Sequence, residues 1–375
     1  MHWFLGILAF LALLLPSQAF NPREKRQAMP NVDKWDDGQL NFYYDQNIKF
    51  EFMAMFRDAI DYLQKHTCIK LKYDPNQESR YKVRIENGNT CSAHFGQSNS
   101  KLTFAHHCAG FGVAVHELMH ALGIAHTQSR DDRDEYLVVD SGDYNDEKEP
   151  ETYNPVPFDY GSIMMYEMNP VRYPRDPEYN YTMGNLRVAF YDMILLNTFY
   201  NCTCDGFPEL KCQNGGIVNP ATCESCSCTD GFKGVLCDEI DEATTEWQFS
   251  GVYPSRRIGG IPENTVPHAV NFGVTAPPNS TIQIQLTKLD GFFCQTTCDY
   301  NGVEVKFKED RRITSPLVCC DDDDLWNKTR SSTNNPFIIV KYGSPKGPGL
   351  QFRYRYLPGN GTVVEEAKDN KLDKE

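Results

Sequence analysis

Residues 116–126 read HELMHALGIAH. His116 and His120 are four apart, so on a helix both imidazoles lie on one face, one turn apart. Glu117 falls on the adjacent stripe. Gly123 lets the helix stop and the chain turn back, which brings His126 to the same point. Three neutral imidazoles leave coordination open for water and substrate, the mark of a catalytic rather than a structural zinc site. In such a site zinc lowers the water pKa to about 7 and polarises a carbonyl. Glu117 can reach that water without binding the metal, take its proton and return it to a leaving amine. HExxH alone arises by chance in roughly one chain in a hundred, and the added glycine and histidine lower that to roughly one in 10⁵. The competing reading is a core helix with satisfied histidines, but three imidazoles and a carboxylate make a poor core stripe.

The chain has 375 residues, which predicts two or three domains. Its net charge of -14 argues against nucleic acid or anionic lipid as a partner. Trp3 to Leu15 form an apolar run followed by Ser17-Gln18-Ala19, so residues 1–19 read as a secretory signal peptide. No later segment is long and apolar enough to span a membrane. Fourteen cysteines agree with an extracellular, secreted product. Sequons at Asn180, Asn201, Asn279, Asn327 and Asn360 are expected to carry glycans. Residues 20–26 read as a short propeptide, with cleavage expected after Arg26 in the basic stretch Arg23-x-Lys25-Arg26. A solvated charge run is the other reading.

Residues 27–203 are expected to form the first domain. Leu40, Phe42 and Tyr44 alternate as in a strand. Phe52, Met55, Phe56, Ala59, Ile60 and Leu63 recur at helical spacing, predicting a helix over 51–65. Further helices are predicted over 112–122, with Gly123 as stop, and 186–200. Residues 204–238 hold six cysteines and few apolar residues, so disulfides must supply the stability there. Over 246–357 alternation returns in Ile282/Ile284/Leu286, Val303/Val305/Phe307 and Leu350/Phe352/Tyr354/Tyr356, predicting an antiparallel β-sandwich. Residues 358–375 read as a charged, disordered tail.

HELMHALGIAHTQSRDDRDEY resembles the zinc signature of the astacin family of metzincin endopeptidases. FDYGSIMMY, residues 158–166, resembles that family's Met-turn. KWDDGQLNFYYD and GNLRVAFYDMILLNTFYNC are similar to its first strand and closing helix. The resemblance implies an α+β zinc endopeptidase with His116, His120 and His126 as ligands and Glu117 as catalytic base. It also implies Met164 as a base beneath the metal, and Tyr166 as an extra ligand that swings away to stabilise the tetrahedral intermediate. Composition alone would make Met164 and Tyr166 ordinary core residues. The resemblance further implies disulfides Cys68–Cys202 and Cys91–Cys108. CQNGG and ESCSC resemble an EGF-like module, which implies pairs Cys204–Cys223, Cys212–Cys226 and Cys228–Cys237. The last region resembles a CUB-like sandwich used in protein recognition, with the pairing of Cys294, Cys298, Cys319 and Cys320 left open. The fold class is thus multidomain, and the expected partners are extracellular or matrix protein substrates, with docking through the two modules.

Two departures from the family stand out. The stretch before the domain is short and lacks the aspartate that keeps family members latent. The residue after the third histidine is Thr127, where the family has a glutamate that engages the charged N-terminus of the mature chain. Cleavage after Arg26 would expose Gln27, which can cyclise and lose its charge, so a hydroxyl would suit this neutral partner better than a carboxylate. Drift at a tolerant position is the alternative. Arg175 is a candidate for the pocket just past the scissile bond, favouring acidic residues, or else a solvated loop arginine. Asp321 to Asp324 read as a solvated acidic loop rather than a calcium site. Two non-enzymatic readings remain: an inactive binding protein on a protease scaffold, and a structural matrix component with no metal requirement.

Overall fold

The computed structural model describes residues 32–140, 142, 146–149, 152, 154–241, 245–246, 268–294, 296–299, 301–320, 326–343, 349–358 and 368–371. The expected signal peptide, the propeptide, Asn360 and Asp321 to Asp324 lie outside them.

The first unit is built on a five-stranded sheet. Its elements in chain order are β1 (Gln39–Tyr44), α1 (Phe50–His66), β2 (Lys70–Tyr73), β3 (Val83–Asn87), β4 (Ser92–Ala93) and β5 (Ser100–Phe104). The strand order is β2-β1-β3-β5-β4, parallel except for β4, which runs antiparallel to β5 at the edge. Leu40 and Phe42 of β1 point into the core, where Phe52, Met55, Phe56, Ala59, Ile60 and Leu63 of α1 form the apolar stripe that meets them. Helix α2 (Phe111–Ala121) follows and is buried almost all round, with Val115, Leu118 and Met119 in the same core.

The end of α2 is pinned. Trp35 donates its indole N–H to the Ala121 carbonyl at 2.8 Å, and the Tyr200 hydroxyl donates to Leu122 O at 2.9 Å. Both carbonyls belong to the last turn, where no intrahelical donor remains. Gly123 then adopts φ +94°, and a Cβ there would meet the Phe199 ring at 3.2 Å. A glycine is therefore required both by conformation and by space. The chain continues through β6 (Leu137–Val139), antiparallel to β7 (Arg172–Pro174), to α3 (Phe190–Phe199). Helix α3 begins later than the predicted residue 186, because Asp192 accepts the N–H of Ala189 and fixes the first turn there. Disulfide Cys68–Cys202 joins the segment after α1 to the segment after α3, and Cys91–Cys108 joins the start of the β4 segment to the approach of α2.

A disulfide-rich segment follows, with pairs Cys204–Cys223, Cys212–Cys226 and Cys228–Cys237. It carries two small hairpins, β8 (Ile217–Val218) with β9 (Cys226–Ser227) and β10 (Phe232–Lys233) with β11 (Glu239–Ile240). The last region contains β12 (Thr245–Glu246), β13 (His268–Val274), β14 (Ser280–Asp290), β15 (Gly302–Val305), β16 (Leu317–Val318), β17 (Arg330–Ser332), β18 (Phe337–Gly343), β19 (Gly349–Pro358) and β20 (Lys368–Lys371). These form two sheets, ordered β12-β13-β18-β15-β16 and β17-β14-β19-β20. Ile282, Ile284, Leu286 and Phe352 of one sheet share a core with Val303, Val305, Phe337 and Ile339 of the other, as in a sandwich. Disulfides join Cys294 to Cys320 and Cys298 to Cys319, which answers the pairing that the sequence left open. Two expectations are corrected. Phe307 lies beyond β15, whose end is marked by a tight turn in which Phe307 N–H donates to Val305 O. The tail is not wholly without structure, since Lys368–Lys371 pairs antiparallel with β19 and so meets the backbone groups of that edge.

Buried polar contacts knit the three parts together. Arg187, just before α3, reaches Asp230 of the disulfide-rich segment at 2.8 Å and Glu304 of the sandwich at 3.2 Å. Asp159 accepts from the backbone and hydroxyl of Thr314, at 3.2 and 3.1 Å. Asn219 donates to Lys65 O at 2.9 Å.

Two substitutions test the pinning of α2. Trp35→Phe keeps the ring but leaves the buried Ala121 carbonyl unpaired, and should lower unfolding stability by about 1–3 kcal/mol. Gly123→Ala should cost about 1–3 kcal/mol through backbone strain. Urea unfolding of each variant beside the parent protein checks both, and unchanged midpoints would count against this account of the helix end.

Candidate active site

The end of α2 and the Gly123 turn bring the three histidines together. Helical spacing presents His116 and His120 side by side, with ring centroids 4.5 Å apart. The turn returns His126 to within 4.5 Å of the His120 ring and 5.2 Å of the His116 ring. One ring nitrogen from each lies within 4.8 Å of the others, and among the described residues this is the one such group that could hold a metal.

The orientation of the rings is fixed from behind. His116 Nδ1 lies 2.8 Å from the Ile163 carbonyl and His120 Nδ1 lies 2.8 Å from the Ile124 carbonyl. A carbonyl only accepts, so each Nδ1 carries the proton and each Nε2 is left as a lone pair. His120 Nε2 faces His126 Nε2 at 3.0 Å. Lone pairs aimed at one point need a cation, and neutral imidazole nitrogens suit zinc. Burial keeps the rings neutral: it lowers the pKa of His116 to about 4, and lowers His120 and His126 well below the usual value, with neighbouring cationic groups adding to the effect. The donor set fits a single catalytic zinc ion.

Glu117 is buried beside this cluster. Its Oε2 has no hydrogen-bond partner, while the backbone of Ala93 in β4 bonds its carboxylate. Burial pushes its pKa up to about 8 against the opposing hydrogen bond from Ala93. A dication held by the histidines would draw that value back down and leave Glu117 a carboxylate able to accept a proton.

Residues 158–166, which resemble the family's Met-turn, lie beside the histidines. Met164 is fully buried, and its carbonyl accepts from Thr127 N–H at 2.9 Å. The Tyr166 ring sits 4.2 Å from the His126 ring. Thr127 is buried and donates its hydroxyl to Ser162 Oγ at 2.9 Å, and Ser162 donates to Asp192 at 2.6 Å. Asp192 also accepts from Ile163 and Ala189 N–H, both at 2.8 Å. The residue after the third histidine is therefore wired through the Met-turn into α3. Burial raises the Asp192 pKa to about 7.

Several residues here escaped the sequence analysis. Arg130 forks onto Asp132 and two backbone carbonyls, at Val156 and Pro157. Arg172 pairs with buried Asp146, and its guanidinium lies 5.2 Å over the Tyr166 ring. Phe95 is 37 % exposed with its ring 4.9 Å from His120, so it offers an apolar contact at the rim of the cluster. Arg130 and Arg133 are both buried, which only the folded chain shows. Arg175 is exposed and donates to Asp134 O at 2.8 Å, and among the described residues no hydrogen bond or ring contact ties it to the histidines. Asn201, Asn279 and Asn327 are exposed and Asn180 is half-buried.

Comparison with known proteins agrees with this geometry. The family model described as Astacin (Peptidase family M12A) matches residues 27–201. The chain is 56 % identical over 356 residues to zinc metalloproteinase nas-20 of Caenorhabditis elegans, covering 92 % of this chain and 93 % of that protein. It is 38 % identical to zinc metalloproteinase nas-17 of the same organism, over 89 % of this chain and 82 % of that one. Among solved structures, high choriolytic enzyme 1, a hatching enzyme zinc-protease from Oryzias latipes, matches with a TM-score of 0.39 at 22 % identity, over 46 % of this chain and 94 % of that one. The inactive-scaffold reading finds no support in these relatives. With the family's zinc-binding pattern intact at His116, His120 and His126, this chain belongs to the astacin family of zinc metalloendopeptidases.

Proposed function

We propose that the protein is a secreted endopeptidase that cuts extracellular or matrix proteins, with Glu117 as general base and Tyr166 as stabiliser of the developing oxyanion. The observation that carries this reading is the convergence of three imidazoles with both α2 histidines locked by backbone carbonyls. Zinc held by His116, His120 and His126 supplies a Lewis acid that acidifies water and polarises the scissile carbonyl. Glu117, buried with a free carboxylate oxygen, takes the proton from the attacking water and hands it to the amine as the peptide bond breaks. Tyr166, whose ring is tilted against that of His126 at 4.2 Å, would donate its hydroxyl proton to the oxygen that gains charge. Arg172 over its ring favours this orientation.

The disulfide-rich segment is read as an EGF-like module and the sandwich as a CUB-like domain, both serving to position the catalytic unit on protein partners. Their cysteine content supports an oxidising, extracellular setting. The exposed sequons at Asn201, Asn279 and Asn327 suit glycans, with Asn180 and Asn360 as further candidates. Maturation by cleavage after Arg26 would present Gln27, cyclised and uncharged, toward the buried Thr127 hydroxyl network.

The mechanism is tested with casein-type hydrolysis by the secreted protein. Glu117→Ala should lower kcat by roughly 10²–10⁴-fold while zinc content by atomic absorption stays at the parent level. Activity undiminished in that variant sinks the assignment. A chelator should abolish hydrolysis, and added zinc should restore it. Tyr166→Phe should lower kcat by about 10²–10³-fold with little change in KM, and an equal loss in KM alone would point instead to substrate binding. Mass spectrometry of the mature N-terminus should find pyroglutamate at residue 27. A free amine there, or a start far from it, would refute the proposed maturation.

A further inference from the structure

A cavity of about 690 Å³ opens where the three parts of the chain meet. Phe111 and Phe190 line it from the catalytic unit, Thr229 and Phe232 from the disulfide-rich segment, and Asn271 and Arg311 from the sandwich. None of His116, Glu117, His120, His126 and Tyr166 lines it. The volume falls within the usual span for small-molecule sites, which favour domain junctions.

The charges around it are accounted for, with one exception. Arg187 pairs with Asp230 and Glu304, Lys306 with Glu304, Arg312 with Asp310, Asp58 with Arg57 and Asp241 with Lys233. At the rim, exposed Asp61 and Lys65 carry opposite charges. Arg311 is different. It is 8 % exposed, its Nη1 is buried without a hydrogen-bond partner, and among the described residues no carboxylate pairs with it. Burial lowers its pKa to about 10, so it is still a cation at neutral pH. Among the described residues the contact given for its guanidinium is the Phe232 ring, 4.9 Å from the guanidinium carbon. A buried cation without a counter-ion is costly, and a planar guanidinium matches a carboxylate best. Asn271, 5 % exposed, likewise holds its side-chain oxygen buried and unpaired on the same cavity. That oxygen accepts an N–H or O–H.

We propose that this cavity is a second ligand site, separate from the zinc centre, for a monocarboxylate with an apolar body and a neighbouring N–H. N-acylated apolar amino acids and peptide C-termini share that chemistry. Arg311 pairs with the carboxylate, Asn271 accepts the N–H, and Phe111, Phe190 and Phe232 cover the apolar body. A single deep cation selects a monoanion. Because all three parts line the cavity, an occupant bridges them and stiffens their junction.

Calorimetric titration and thermal unfolding of the full-length secreted protein test this, with four probes: N-acetyl-L-phenylalanine, its amide, N-acetyl-Ala-Ala-Phe, and the amide of that tripeptide. Each acid should bind and raise the melting temperature, and each amide should bind at least about tenfold more weakly, the loss of one charge-assisted contact. Tighter binding by the tripeptide acid identifies a peptide C-terminus as the source, and tighter binding by the amino acid identifies a small acid. Arg311→Met should remove the acid-over-amide preference without lowering the melting temperature of the free protein, since it replaces an unpaired ion with an apolar chain. The acid-versus-amide comparison in the parent protein stands even where that variant does not fold. No binding at millimolar concentration, equal binding of acid and amide, or a preference that survives in Arg311→Met, as when the probe sits on zinc, overturns the proposal.

Discussion

Two hydrogen bonds from imidazoles to backbone carbonyls hold the active site in place. Ile163 O and Ile124 O each accept a hydrogen bond from the Nδ1–H of one α2 histidine, so both Nε2 lone pairs aim at one point. The Ile163 carbonyl belongs to the Met-turn, and the Ile124 carbonyl follows the Gly123 turn. The surrounding fold keeps those two carbonyls still. Trp35 and Tyr200 close the end of α2, Asp192 receives Ile163 N–H and Ser162, and disulfide Cys68–Cys202 ties α1 to the chain beyond α3. Orienting partners behind metal ligands decide which nitrogen faces the ion and how basic it is. The sheet and helices can thus be read as a frame for two carbonyl groups.

The same frame extends past the catalytic unit. Asp159 opens the turn that leads into the Met-turn, and it is held by Gly161 N–H within the unit and by Thr314 from the sandwich. A Cβ on Gly161 would run into the Thr314 side chain, so that side chain of the sandwich packs directly on the Gly161 backbone. Arg187 ties the approach to α3 to both accessory parts at once. Burying that many ions is justified only by good pairing, and here each carboxylate has a specific partner. The sandwich therefore packs on the segment that feeds the zinc site.

Much of the local structure was legible in the chain. The 3.6-residue spacing from Phe52 to Leu63 marked α1, and the alternation at Ile282, Ile284 and Leu286 marked β14, because both patterns reflect one buried face. The HELMHALGIAH stretch was legible for a different reason: ligand geometry, glycine turn and helix period are written into its spacing. Long-range polar pairing was not legible. Arg130, Arg133 and Arg172 resemble solvent-facing charges until the loops that bury them are folded, and Asp146 lies far from Arg172 in sequence. Asp192 falls inside the helix predicted over 186–200, and only the folded chain shows that it caps α3 and accepts from Ser162 and Ile163. The four sandwich cysteines allowed three pairings, and only the folded chain brings Cys294 to Cys320 and Cys298 to Cys319.

The central claim is that three imidazoles from one helix and one glycine turn hold one zinc ion. X-ray absorption at the zinc edge of the secreted protein measures this most directly. The account predicts one zinc per chain with three imidazole ligands and oxygen completing the shell, falling to two imidazoles with weakened affinity in His126→Ala. A shell with fewer than three imidazoles in the parent protein, or an unchanged shell in His126→Ala, would contradict it.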